Sequence, residues 1–137
     1  MIVTASSSSP VLALNPVVSS NNLEQKVIEQ SYSVELPKSE SGAKIYNLII
    51  KKAKENELDP DLALRIARCE SLFRQFNSDG SVLRGKQNPD DVGVFQINEK
   101  YHLSRSQALG LDIETTADNI TYAMHLMKKE GGKPWTW

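Results

Sequence analysis

Glu70 is the residue in this sequence best placed for acid–base chemistry. It follows Ile66 by four positions and Leu62 by eight, so on a helix the three share a face. A carboxyl on an apolar face looks into the interior or into a cleft. Burial disfavours its charged form and raises its pKa, and a carboxyl still protonated near neutral pH can protonate a leaving oxygen. The competing reading is electrostatic. Glu70 also stands four residues before Arg74, the spacing of a helical ion pair. Cys69 is adjacent, but neighbouring helical residues diverge by about 100°, and no histidine is close in sequence to activate the thiol. A small buried residue is expected there.

Other chemistry is limited by count. One cysteine excludes an intrachain disulfide and a multi-thiolate metal site, and two histidines, His102 and His125, are too few and too far apart for a metal centre. No metal or organic cofactor is expected. Sixteen Lys and Arg against 17 Asp and Glu give a net charge of −1, which argues against nucleic acid as a partner. No apolar run approaches the ~20 residues of a membrane-spanning helix. At 137 residues the chain suits one folded domain.

The elements that must position Glu70 follow from periodicity. Residues 1–41 hold serine and asparagine runs and three prolines without sustained pattern, and read as a flexible N-terminal segment with a short helix at most over Leu23–Gln30. The apolar run Val11–Val18 is broken by Asn15 and Pro16 and lacks a basic residue before it, a poor secretion signal. From Gly42, the residues Ile45, Tyr46, Ile49, Ile50 and Ala53 form one helical face that stops near Asn56–Leu58. Asp59-Pro60 reads as the cap and first position of a second helix, with apolar face Leu62, Ala63, Ile66, Ala67 and Cys69, running to about Phe73. Residues 77–91 are loop-like, with Gly80 and Gly85 closing a small hairpin around Ser81–Arg84. An apolar run over Val92–Ile97 reads as a short strand. A third helix is expected over Arg105–Leu109, and a fourth from Thr115–Thr116 to Lys129, ended by Gly131-Gly132. The fold class is thus mainly α (α+β).

Taken together, Ala67-Arg68-Cys69-Glu70-Ser71-Leu72-Phe73, Asn77-Ser78-Asp79-Gly80-Ser81 and Asp91-Val92-Gly93-Val94-Phe95-Gln96-Ile97-Asn98 resemble the lysozyme-like superfamily, most closely the soluble lytic transglycosylase domains of bacteria and phages. Those domains carry a helix ending in Glu-Ser, a loop, and a Gly-Leu-Met-Gln-like strand, here Gly93-Val94-Phe95-Gln96. The resemblance continues through Leu109–Asp112, Asp118-Asn119-Ile120 and Ala123 to Pro134-Trp135, covers roughly residues 45–137, and places the domain at 42–137.

The resemblance implies a lysozyme-like fold with a small β-hairpin beside the cleft, and peptidoglycan glycan strands as substrate. Glu70 matches the family's acid/base for the β-1,4 bond between N-acetylmuramic acid and N-acetylglucosamine, with 1,6-anhydro product. Asp91, five residues before Gln96, matches the second acid of animal-type lysozymes, which a hydrolase would need; a turn residue after Pro89 is an equal reading, and Asp79 and Asp90 are weaker candidates. Gly93 and Gln96 match the family's substrate-cleft positions, Ser71 matches the serine of its Glu-Ser pair, Asn98 is a further candidate for substrate binding, and Tyr122 is the nearest tyrosine to one the family carries. Their structural alternatives are a helix-bound hydroxyl for Ser71, a strand bulge for Gly93 and a turn former for Asn98. Of the aromatics that could stack on sugars, Phe73 and Trp135 are expected in the core, leaving Tyr101 and Trp137.

The sequence departs from the family pattern in three ways. Ala123 and Leu126 replace a glycine and a tyrosine of the last-helix pattern, a later Ala-Tyr-Asn-Ala-Gly-like segment is missing, and Asn88–Asp91 stands where a serine often precedes the Gly-Leu-Met-Gln-like strand. The missing tyrosine segment motivates a rival from another class, a silent wall-binding or assembly module. The resemblance also implies a monomer working in the periplasm or outside the cell, with a secretion system, a phage tail or an envelope assembly as its setting.

Overall fold

The computed structural model describes residues 32–136. Its element order is α1 (Glu40–Glu55), α2 (Pro60–Ser71), β1 (Asp91–Val92), β2 (Ile97–Asn98), α3 (Glu99–Ala108), α4 (Thr116–Glu130) and a 3-10 turn (Lys133–Trp135). The protein is mainly helical with a small antiparallel sheet. The helix expected over Leu23–Gln30, and Trp137, lie outside the described residues.

α1 buries Ile45, Tyr46, Ile49, Ile50 and Ala53, the face its periodicity predicts. It starts two residues before Gly42 because Ser39 caps it, accepting from Gly42 N–H at 3.1 Å. The residues ahead of it are anchored too. Val34 is buried, its carbonyl accepts from the Tyr46 hydroxyl at 2.7 Å, and Ser33 donates its backbone N–H and hydroxyl to Asp61 at 2.6 and 2.8 Å. Positions 33–41 of the expected flexible segment are therefore part of the fold. A single buried apolar side chain leaves no periodic trace in sequence.

α2 begins as Asp59-Pro60 predicts, with the Asp59 side chain accepting from Asp61 N–H. It ends at Ser71, two residues before Phe73, because Leu72 and Phe73 both take left-handed φ values, 55° and 60°. Such conformations cost non-glycine residues roughly 1 kcal/mol or more each. The buried face is Ala63, Leu64, Ile66, Ala67 and Ser71. Cys69 is exposed, not buried as expected. It lies about 200° around the helix from Ala67, the centre of that face.

After α2 the chain makes a small antiparallel meander. Asn77–Gly80 turns, and Asn77 N–H bonds Ser81 carbonyl at 2.8 Å while Leu83 N–H bonds Gln75 carbonyl at 2.9 Å. Residues 83–85 then pair with 91–93 through Gly85 N–H to Asp91 carbonyl and Gly93 N–H to Leu83 carbonyl, both 2.9 Å. The hairpin expected around Ser81–Arg84 is thus the middle of a wider meander. β1 and β2 complete it with Asp91 opposite Asn98 and Val92 opposite Ile97.

The strand expected over Val92–Ile97 is interrupted by a turn. Gly93 and Gln96 have φ of 74° and 47°, and Gln96 N–H bonds Gly93 carbonyl at 3.1 Å. Val94 and Phe95 are fully buried at its tip. Their N–H groups are taken by side chains: Gln75 Oε1 accepts from Val94 at 2.9 Å and Asn119 Oδ1 from Phe95 at 3.0 Å. The other ends of these amides are used as well. Gln75 Nε2 donates to the Ile113 and Glu114 carbonyls, and Asn119 Nδ2 to the Val92 and Ile113 carbonyls.

α3 begins six residues earlier than expected. Its only buried residue is Ser106, so no apolar stripe marks it. α4 runs as predicted, capped by Thr115 and ended at Gly131, and α1 packs on both α2 and α4. Trp135 returns to the turn and donates its indole N–H to Phe95 carbonyl at 2.8 Å.

Asn119→Ala leaves Phe95 N–H unpaired in the interior, while the Val92 and Ile113 carbonyls keep the ladder and Gln75 as partners, and is expected to cost about 2 kcal/mol, at roughly 1–3 kcal/mol per orphaned group. Urea unfolding checks this; a loss under about 1 kcal/mol would contradict the role given to the amide.

Candidate active site

Glu70 occupies the last turn of α2 at the edge of the buried face. The turn after β1 and the start of α3 face it across a cleft of about 220 Å³, lined by Glu70, Asp91, Gln96, Asn98 and His102, with Leu126 and Trp135 among its apolar walls. Two larger grooves, about 590 and 470 Å³, lie around Arg74 and Phe76 and around Leu36 and Leu72. Neither contains a pair of carboxylates.

Glu70 is half-buried, and no hydrogen bond or ion pair holds it among the described residues. The alternative partner, Arg74, turns its Nε to the Ser71 carbonyl at 3.0 Å instead. Burial pushes the Glu70 carboxyl above its ordinary range, and the negative charge of Asp91 pushes the same way. A position at a helix C-terminus is also unfavourable to negative charge.

Asp91 is brought to Glu70 by the pairing of β1 with β2. Its partner across the ladder, Asn98, donates Nδ2 to Asp91 Oδ1 at 2.9 Å and fixes the carboxylate's orientation. Asn98 Oδ1 is buried at the cleft without a hydrogen-bond partner. Gln96 also lines the cleft, half-buried, with Nε2 bonded to the Gly93 carbonyl at 2.9 Å. Its backbone is left-handed, with φ of 47°.

Three of the residues expected to contact a ligand do other work. Ser71 is 3% exposed, and its hydroxyl bonds Ala67 carbonyl and Arg74 N–H, fastening the helix end. Gly93 is buried under the two amides: a Cβ there would lie 2.4 Å from Gln75 Oε1 and 2.5 Å from Asn119 Nδ2. It makes room for the clamp, not for a sugar. Tyr122 is 1% exposed and sits behind His102, its hydroxyl 3.0 Å from His102 Nδ1. Tyr101 is exposed outside the cleft, Phe73 and Trp135 are buried as expected, and Asp79 is a turn residue accepting from Ser81.

The sequence reading missed His102 as a cleft residue. It stands one helical turn after Asn98, a spacing hidden while α3 was placed only over Arg105–Leu109. Burial lowers its pKa, Arg105 adds to this, and Glu130 opposes it. Among the described residues, no cluster of His, Cys, Asp and Glu is arranged to hold a metal ion. The arrangement is therefore one carboxyl with a raised pKa, one oriented carboxylate and amide groups around a polar cleft. That set can protonate a leaving oxygen and steady positive charge beside it.

No family model, curated protein or solved structure matches the chain.

The raised Glu70 pKa has a consequence for stability. The folded state holds this proton to higher pH than the unfolded chain does, so stability falls as pH rises through that window. Glu70→Gln is expected to melt above the wild type at pH 7, with the gap closing toward about pH 3, where both states carry a protonated carboxyl. A variant less stable than wild type at pH 7 would contradict the assignment.

Proposed function

We propose that this protein is a peptidoglycan lytic transglycosylase built on a lysozyme-like fold, with Glu70 as its acid/base. The observation that carries the proposal is the unpaired, half-buried Glu70 carboxyl, raised in pKa, in a cleft that also holds Asp91. In this reading the protonated carboxyl gives its proton to the glycosidic oxygen between N-acetylmuramic acid and N-acetylglucosamine. The bond from that oxygen to the muramyl C1 breaks, and the departing sugar keeps the proton as its 4-hydroxyl. The Glu70 carboxylate then takes the proton from the muramyl 6-hydroxyl, whose oxygen closes on C1. No water is consumed, and Glu70 ends protonated as it began. One carboxyl serves both steps because the nucleophile belongs to the same ring. Asp91 acts by holding the Glu70 proton in place and by offering negative charge to the developing cation.

The presence of Asp91 in the cleft favours a second reading, a lysozyme-type hydrolase in which Asp91 supports attack by water. Both readings place the protein where peptidoglycan is, in the periplasm or outside the cell, acting as a monomer. Among the described residues no helix is long and apolar enough to cross a membrane.

Digestion of purified peptidoglycan, read by mass spectrometry, separates them. The proposal expects products one water lighter than reducing muropeptides, and a rate lowered by about 10²–10⁴ in Glu70→Gln. Full-mass reducing products would make the protein a hydrolase. Wall binding without cleavage would make it a binding module. Undiminished cleavage by Glu70→Gln would overturn the mechanism.

A further inference from the structure

We propose that His102 donates a hydrogen bond from Nε2 to the carbonyl oxygen of an N-acetyl group on the bound sugar, and that Tyr122 is the positioning residue that keeps the proton on Nε2. This rests on the glycan reading above and assigns one of its contacts.

The argument starts with the buried phenol. Tyr122 lies on α4, its ring edge-on to His102 at 5.6 Å between centroids and stacked on His125 at 5.8 Å. Its hydroxyl is 3.0 Å from His102 Nδ1, and no other polar atom among the described residues bonds it. If Nδ1 carried the proton, the phenol O–H would be buried with no acceptor, an arrangement proteins avoid. With the phenol donating to Nδ1, every donor of the pair that faces inward is used. The neutral ring then carries its proton on Nε2.

The surroundings favour the neutral ring. Burial and Arg105 on its own helix disfavour the imidazolium. Glu130 on α4 opposes them, while Glu70 and Asp91 across the cleft and Tyr122 and His125 on α4 complete the groups around it. Burial also pushes the Tyr122 phenol up, so it keeps the proton it donates.

The rest of the lining defines what that donor meets. Gln96 Nε2 is bonded to Gly93 carbonyl, Asn98 Nδ2 to Asp91, and Trp135 Nε1 to Phe95 carbonyl. His102 Nε2 is the one side-chain nitrogen of the lining without a protein partner among the described residues. The other unengaged polar atoms that line the cleft, the Glu70 carboxyl oxygens, Asp91 Oδ2 and Gln96 Oε1, serve sugar hydroxyls, which can donate. A hydroxyl can answer either kind of group and discriminates little. An acetamido carbonyl can only accept, so a donor reserved for it rejects a sugar that lacks it.

Two measurements test this. Long-range 1H–15N NMR of the imidazoles in the free wild-type protein is expected to show His102 as the Nε2–H tautomer; the Nδ1–H form would overturn the proposal. Calorimetry in the Glu70→Gln background compares an N-acetylated chito-oligosaccharide with its de-N-acetylated counterpart. Preference for the N-acetylated ligand is expected, falling about tenfold in His102→Ala, retained in part in His102→Gln, and weakened in Tyr122→Phe together with loss of the single tautomer. An unchanged preference in His102→Ala, with peptidoglycan cleavage intact in the wild type, would overturn this assignment alone. Failure of the parent protein to bind either glycan, with no cleavage of the wall, would overturn it along with the proposed function.

Discussion

The turn from Gly93 to Gln96 has no ladder partner for the N–H groups of Val94 and Phe95, and two buried amides supply what the sheet does not. Gln75 reaches it from the start of the meander and Asn119 from the first turns of α4. Both amides also hold the carbonyl of Ile113 ahead of α4. Three parts of the chain distant in sequence are thereby fixed to one another through hydrogen bonds in a low-dielectric interior, where an unmade bond is expensive. Gly93 follows from this constraint, since a side chain would occupy the space of the amides. Trp135 closes the same turn from the other side through Phe95. Asp91 and Gln96 flank the turn, so the position of half the cleft depends on it.

The other half is the end of α2. A helix that stops at Ser71, followed by two left-handed residues, holds Glu70 at the boundary between core and cleft. That boundary gives the carboxyl its properties. Deeper burial would leave it unreachable, and full exposure would leave it an ordinary surface glutamate. Ser71 secures the helix end, and Arg74 is drawn to the Ser71 carbonyl and away from Glu70. With no cation beside it among the described residues and Asp91 opposite, the carboxyl has reason to keep its proton.

Much of this frame is written in local pattern. Asp59-Pro60 announces α2, the spacing of Ile45 to Ala53 gives the buried face of α1, and Gly131 ends α4 where expected. Glu70 is legible for the same reason, since it extends the row of Leu62 and Ile66. What local pattern cannot show is anything made by residues far apart. Val92–Ile97 looks like a strand because its apolar residues are buried, but their N–H groups are met by Gln75 and Asn119, 19 and 24 positions away. α3 packs through a serine and so has no stripe to read. Tyr122 is expected at the cleft from a family pattern, yet it lies behind His102. Cys69 follows an apolar row by one turn but falls on the far side of the true buried face.

The central claim is that Glu70 is a carboxyl whose surroundings keep it protonated beyond the ordinary range. The most direct measurement is an NMR titration of the Glu70 side-chain carboxyl in the wild type and in Asp91→Asn. The account predicts a midpoint above the usual value of about 4.3 for glutamate, lowered in Asp91→Asn but still raised, because burial contributes more than the neighbouring charge. An ordinary midpoint in the wild type would contradict the account at its base, whatever the fold.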